Sequence, residues 1–592
     1  MKPEVVIRHR EKDEAICSEL LNQGIEPWLA EVLSSRIESS VTKEACFSPS
    51  LRNLEDPENI PGMSVAVDRI VRAINSDEKI VFAVDHDMDG QASAAVLWSA
   101  FVDHFKVSPE RLAVVTSHRL IDGYGITDAV VEKIIESDAT LVISADKGSS
   151  DEPRIKRLAE AGRDVVVTDH HALPVEGPPV SAFACVNPTR KESRYDPYVC
   201  GAAVAFLTMA KVRSELLKQN YLADIPSLSL LVDYVAVATV ADCVSLRPDL
   251  SYANRALVKK GMALINQRVR PCWEAFCDQM RDLQVSSQTI GFQLAPAVAA
   301  AGRLDWAEVG FRFLVAETVA EATEHWNTLK QENEQRKAIE KSLRERAFEK
   351  ADQKDGQSIV LYFEDGHSGV HGITASRLVE RYGKPSAMFA PKGAGSRDDV
   401  GQVLDDKGRR LASGSFRSIP GLNIRDVLQS VHDKRPDLLA KFGGHEGAAG
   451  ATVIIDNIDA FSTEFEASVN QILKGRELKP ELWVDGDLPK GGLSLDSVDM
   501  LNQLDPWGRD FPSPVFCGEF KVTQHKKVGD GTHVKLQLEK SGQLIDAIWF
   551  NAVESNALVP FQVGEQVLFV YKLDDNVFRQ RRSLQLQIVS MV

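Results

Sequence analysis

The chain has 592 residues, 44% hydrophobic and 26% charged, an ordinary globular composition that excludes disordered and membrane classes and allows about three to five domains. Its formal net charge of -16 disfavours a general nucleic-acid coat, because phosphate contacts depend on Lys and Arg, so any such grip must be local. Eight cysteines without a CxxC pattern offer no zinc ribbon and read as reduced thiols of a cytoplasmic protein.

The first residues, MKPEVVIRHREKDE, alternate charges where a signal peptide would carry an apolar core, so secretion is not expected. Residues 1 to about 60 mix short helical patterns with the loop signals Asp56-Pro57 and Pro61-Gly62 and read as an extension feeding the first strand. From Lys79 an apolar, β-branched run without alternation predicts a strand buried on both faces. It ends in Asp85, Asp87 and Asp89, then Gly90 and an alanine-rich helical pattern from Gln91 to Phe101. Further βα units follow, with strands expected near 112–117, 140–145, 164–168 and 183–186, which predicts an α/β fold built on a doubly wound parallel sheet.

Ligands of such a sheet sit at the carboxyl ends of its strands. There the sequence puts Asp146-Lys147-Gly148-Ser149 and Asp169-His170-His171, and a later apolar run ends in Thr239-Val240-Ala241-Asp242, read as part of the same sheet. Asp233 lies earlier in that run and competes with Asp242. A lone DxD is usually a turn capping the next helix; four apolar segments each ending in an acid or an imidazole point to a shared site.

Clustered carboxylates repel one another unless a cation holds them. Asp87, Asp89, Asp146, His170 and Asp242 supply the donors that two cations, about 3.5–4 Å apart, need for clamping the attacking water and the leaving oxygen of an in-line displacement. The imidazole favours Mn2+ as cofactor, with Mg2+ the alternative. No GxxxxGK[ST] or GxGxxG motif is present, so neither ATP nor a dinucleotide is expected.

In order, DHDMDG, ADKGS, TDHH and ATVADCVSL resemble the four motifs of the DHH phosphoesterase superfamily, and the long chain resembles its RecJ family of single-strand-specific DNA exonucleases from about residue 53 onward. The resemblance implies that Asp87, Asp89, Asp146, His170 and Asp242 bind metal, that Asp85 and Asp169 orient the site, and that His171 contacts phosphate. Arg119, on the loop after the second strand, resembles an arginine near the substrate's terminal phosphate. Pro296 to Leu304 resembles a glycine-arginine element used against the nucleic-acid backbone and keeps Arg303. The chain departs from the family at His86 (usually tyrosine), Val84 (glycine), Ala297 and Ala299 (arginine and asparagine) and Gly366 (tryptophan).

A helical pattern free of Gly and Pro and dense in Glu, Lys and Arg runs from Glu317 to Ala351 and reads as a connecting helix with a solvated face. Beyond it, a second α/β lobe from about 356 to 468 carries His367-Ser368-Gly369, Ser413 to Ser418 and Phe442 to Gly450. Paired glycines admit a phosphate, and Ser415, Arg417 and His445 supply donors; together these resemble the DHH-associated substrate-binding domain. Five strand-like runs, 520–527, 532–538, 544–550, 566–571 and 584–589, fit a C-terminal OB-fold β-barrel. Lys526, Lys527, Lys535, Trp549, Tyr571, Arg579, Arg581 and Arg582 are its candidates for holding a single strand.

The expected layout is an N-terminal extension (1–60), a catalytic domain (61–265), the glycine-arginine element and connecting helix (266–355), the substrate-binding domain (356–475) and the OB-fold (476–592). The expected function is a manganese-dependent exonuclease that removes mononucleotides from the 5′ end of single-stranded DNA in repair or recombination, alongside a single-strand-binding protein and a helicase. Two rivals stand beside it. One is a phosphodiesterase of short oligoribonucleotides or cyclic dinucleotides, which would need no OB-fold. The other is an inactive scaffold, which would be expected to lose the metal ligands that this chain keeps.

Overall fold

The run Ile80–Val84 is a strand buried at every position, as its lack of alternation requires. In the computed structural model, which describes residues 5–280, 284–396, 403–476, 478–578 and 581–592, it lies inside a five-stranded parallel sheet. The order across that sheet is Leu112–Thr116, Ile80–Val84, Leu141–Ala145, Asp164–Thr168, Ala184–Val186. Winding reverses between Ile80–Val84 and Leu141–Ala145. The loops bearing Asp85 to Asp89 and Asp146 therefore share the crevice at the switch point, where α/β sheets bind ligands. Val81, Ala83, Val142 and Val165 pack with Val130, Ile134, Ile155 and Leu158 on one face, while Phe82 packs on Phe101, itself against Phe105.

The segment ending at Asp242 is not a strand of this sheet. Val232–Ala241 is an α-helix, buried almost throughout, with Asp242 as its C-cap. An almost wholly apolar run, whose Asp233 and Thr239 are themselves buried, has no solvated face to reveal its period, so the pattern could not separate helix from strand.

The chain divides into two compact units. The first gathers Leu51–Val244 and Lys260–Pro480, and so holds both the parallel sheet and a second, mixed sheet. The second sheet runs Lys441–Gly444, Ala448–Ile454, Leu411–Arg417, Ser386–Pro391, Ile359–Tyr362, antiparallel except for its last pair. Val319–Ala351 is one helix of 33 residues capped by the Thr318 side chain, about 50 Å long. Its buried stripe, Ala322, Trp326, Leu329, Asn333, Glu340, Leu343, Ala347 and Ala351, keeps the three- and four-residue spacing of one helix face. That stripe packs against Ala295–Leu304 and Ser368–Tyr382, tying the two sheets together.

The second unit gathers Val6–Ser50, Ser245–Lys259 and Glu481–Val592. Rather than simply leading into the first strand of the parallel sheet, the N-terminal segment joins the C-terminal one: Val6–His9 pairs in parallel with Glu481–Val484. Phe516–Val528, His533–Lys540, Gln543–Trp549, Gln566–Phe578 and Arg581–Met591 close into a barrel in which the third strand pairs in parallel with the fifth. The strands extend beyond the apolar runs that signalled them, because barrel closure recruits flanking polar residues into the ladder. Among the described residues, no helix is long and apolar enough to cross a membrane.

Candidate functional site

Asp87 serves first as a helix cap. Its Oδ1 accepts from the backbone N–H groups of Asp89 and Gly90 at 3.0 and 3.2 Å and so starts the helix Met88–Ser99. Gly90 is required there, since a Cβ would lie 2.3 Å from the Asp85 carbonyl oxygen. Asp89 is buried, and its two oxygens accept from the N–H groups of Gly201 and Ala202, both at 2.7 Å. Those are the first donors of the helix Gly201–Lys218, whose positive end favours the carboxylate. Gly201 also lets Asp146 approach: a Cβ would sit 2.6 Å from the Asp146 Cβ. Asp146 itself takes a left-handed backbone conformation, φ 62°, which turns its side chain off the end of the strand.

These carboxylates converge on one imidazole. His170 Nε2 lies 3.2 Å from Asp146 Oδ1, 3.5 Å from Asp242 Oδ2 and 3.7 Å from Asp89 Oδ2. Three overlapping sets, Asp85/Asp87/Asp146, Asp89/His170/Asp242 and Asp146/His170/His171, each bring donor atoms within 4.8 Å of one another. His170 Nε2, Asp146 Oδ1 and Asp85 Oδ1 are buried without a hydrogen-bond partner among the described residues. Burial, then the charges of Asp89 and Asp87, hold the Asp146 and Asp242 carboxyls well above the usual range. Burial and Asp87 push Asp89 up to about 6 and Asp85 up to about 7. His170, pressed down to about 4 by burial and by His171, is neutral and keeps a lone pair for coordination. Hard oxygens, one neutral imidazole and orphaned buried atoms together fit divalent cations of the magnesium or manganese kind.

Asp169, which belongs to none of these three sets, organises the turn. It accepts from the backbone N–H groups of Ser149, His170 and His171 at 2.9, 2.7 and 3.2 Å, and from His171 Nδ1 at 2.8 Å. Burial works against an imidazolium at His171, but this hydrogen bond and the Asp169 charge carry it up to about 9. His171 Nδ1 lies 3.9 Å from Asp146 Oδ1, and the Tyr124 hydroxyl lies 3.0 and 3.1 Å from the two His171 ring nitrogens. Asp85, expected to orient, lies inside one donor set with Asp87 and Asp146. Asp233 is no rival of Asp242: it is buried, accepting from Arg270 Nε at 2.6 Å and Trp273 Nε1 at 2.7 Å.

A cationic cluster stands beside the carboxylates. Arg303 Nη1 donates to the Gly369 carbonyl at 3.2 Å, and burial with the charges of Arg119 and Arg336 presses its guanidinium down to about 9. Arg417 is lowered by burial and by Arg119. Its guanidinium lies where a Cβ on Gly372 would meet it at 2.7 Å. Ser415 and Arg417, two apart on the strand Leu411–Arg417, share a face. Like charges gathered this way suit an anion. His445, exposed at the turn between two strands, is near enough that its charge helps depress His170.

Lys535 and Trp549 belong to the other unit. Lys535 Nζ lies 3.7 Å from Asp546, and Trp549 stacks on Phe561 with ring centroids 6.4 Å apart. Tyr571 is fully buried and is a core residue, not a stacking platform; Arg579 lies outside the described residues. Of the departures, Ala297 is buried and Ala299 half-buried. Gly366 leaves room filled by the buried His371, whose Nε2 would lie 2.8 Å from a Cβ there. Sequence reasoning placed Tyr124 on the loop of Arg119 without a role, and missed the Gly201–Ala202 donors. The glycine opening an alanine-rich helix was the available signal for the latter.

Three known domain families match the chain. Residues 79–239 match the DHH family, N-terminal domain, 355–471 the DHHA1 domain and 484–590 the RecJ OB domain. The chain is 34% identical over 555 residues to the single-stranded-DNA-specific exonuclease RecJ of Dickeya dadantii, covering 91% of this chain and 92% of that one. The chain belongs to the RecJ family. The crystal structure of RecJ in complex with Mn2+ from Thermus thermophilus superposes with a TM-score of 0.77 at 24% identity, over 100% of this chain and 80% of that one, which establishes the shared RecJ fold. A crystal structure of exonuclease RecJ bound to manganese is 27% identical with a TM-score of 0.56, over 69% of this chain and 94% of that one.

Proposed function

We propose that the chain is a metal-dependent exonuclease that degrades single-stranded DNA from its 5′ end to mononucleotides. The observation that carries this reading is the convergence of Asp89, Asp146 and Asp242 on His170, with Asp85 and Asp87 grouped on Asp146, beside the clustered arginines 119, 303 and 417. Asp87, Asp89, Asp146, His170 and Asp242, joined by Asp85, would hold two divalent cations. When bound, these would activate the attacking water and carry the charge that develops on the phosphate. The imidazole among the donors favours Mn2+ over Mg2+.

The protein's own groups do the rest. Asp169 holds the His171 ring through a 2.8 Å hydrogen bond to Nδ1, which supports a role for His171 as a contact to the reacting phosphate. Arg119, Ser415 and Arg417 make a pocket for a terminal phosphate, and Arg303 supports the adjoining backbone. A pocket that reads a strand end is what makes a nuclease an exonuclease. The test is end-labelled DNA and RNA, single- and double-stranded, with Mn2+ and with Mg2+. Mononucleotides released from the 5′ end of single-stranded DNA, faster with Mn2+, are expected. Cleavage confined to strands of a few ribonucleotides would favour the oligoribonucleotide reading.

A further inference from the structure

Phe292 is 78% exposed. It sits in a π turn, Ile290–Leu294, within the helical run from Ser287 to Leu304. Wide turns of this kind are rare and concentrate at functional sites. Ile290 and Leu294 are buried, so the turn is anchored at both ends and holds the ring outward.

Both ends of the run border the catalytic centre. Gly291 lies against Val240, where a Cβ would be 3.6 Å from a Val240 methyl, two residues before the donor Asp242, whose side chain is 22% exposed. At the far end Gly302 abuts the His86 carbonyl, and Arg303 joins the cationic cluster. Along Ala295–Leu304 only Pro296, Ala299 and Arg303 reach solvent. One face therefore runs from Phe292 past the small Ala299 to Arg303, about 16 Å at 1.5 Å per residue.

Resting on the exonuclease reading, we propose that Phe292 is a positioning residue that stacks on a base of the single strand. The arginines would hold its terminal phosphate while the strand lies along the Ala299 face. Every base has a π-face, so a ring of this kind grips any sequence, and it needs no added positive charge in an acidic protein. Alanine at 299 leaves the face clear for the strand.

The test uses Asp87→Asn protein, which is expected to bind without cutting, and a 5′-phosphorylated strand carrying 2-aminopurine at each position in turn. One position should be quenched. Adding Phe292→Ala should abolish that quenching and weaken binding about ten-fold, and Phe292→Trp should restore both. An abasic site at the quenched position should make the proteins with and without Phe292→Ala bind alike. Unchanged circular dichroism and melting confirm that this exposed substitution leaves the fold intact. Equal affinity and full quenching in Phe292→Ala would overturn the inference. Single-stranded DNA left uncut by the wild type would instead overturn the exonuclease reading, so the two failures are distinguishable.

Discussion

Asp87 holds a helix and faces a candidate metal site with the same carboxylate, and two substitutions separate the roles. Asparagine keeps an acceptor oxygen for the N–H groups of Asp89 and Gly90 but loses the charge. Asp87→Asn should leave metal-free melting almost unchanged while activity falls by more than about 100-fold, the upper range for disturbing an outer partner of a metal site. Asp87→Ala should lose activity equally and in addition cost about 1 kcal/mol of stability through the missing cap. Melting curves without metal, beside rates with Mn2+, check both; a fully active asparagine variant would remove Asp87 from the donor set. Arg417 is tested by strand ends. A charge-assisted contact is worth about 1.5–3 kcal/mol, so 5′-phosphorylated strands should exceed 5′-hydroxyl strands in kcat/KM by about ten-fold or more. Arg417→Ala should bring that ratio close to one while lowering the rate on 5′-hydroxyl strands much less.

At the scale of elements, glycines decide how closely the pieces of the centre approach. Gly302 carries the helix Ala295–Leu304 against the turn of the first motif, and a Cβ there would lie 2.5 Å from the His86 carbonyl oxygen. Backbone cannot yield cheaply, so Gly302→Ala should destabilise the catalytic unit by about 1–3 kcal/mol and displace Arg303 with the helix. Gly291 in the same helical run has only an ordinary contact, 3.6 Å to Val240. Gly291→Ala should therefore be neutral or stabilising by up to about 1 kcal/mol. Urea denaturation of the two variants compares them directly; equal losses would mean that the contact at His86 is not what requires glycine.

For the whole molecule, the second unit depends on segments far apart in the chain. Arg36 pairs with Asp485 through two hydrogen bonds, at 2.5 and 2.8 Å, with both side chains buried. Arg255, fully buried, donates to the carbonyls of Ala45, Cys46, Leu246, Leu504 and Pro506. Truncation after Pro480 would remove the barrel, the strand partner of Val6–His9, the carboxylate partner of Arg36 and two of the carbonyls that Arg255 reaches. A buried ion pair that loses one partner costs about 3–5 kcal/mol, so residues 6–50 should become rapidly cleavable by protease in the truncated chain. The catalytic unit keeps its own cores and should still cleave oligonucleotides of a few bases. Long strands should bind more weakly, with a flatter salt dependence. A truncated protein whose residues 6–50 resist protease, or which digests long strands as the intact chain does, would contradict the dependence or the barrel's part in binding, respectively.

Much was legible in the sequence by itself: the parallel sheet, the acids and imidazoles that group at its strand ends, the connecting helix, the second lobe and the five barrel strands. Each of these is local. A buried strand writes its burial into consecutive residues, and carboxylates needed at its end follow directly in the chain. Only the tertiary structure decided what depends on distant partners. The helix at Val232–Ala241 is buried almost all round, so its neighbours, not its period, reveal it. Asp89 is held by Gly201 and Ala202, more than a hundred residues away, and Trp549 and Tyr571 are taken up by the barrel's aromatic packing. Val6–His9 finds its strand partner near the other end of the chain. Periodicity reports which face of an element avoids water and is silent about which distant element covers it.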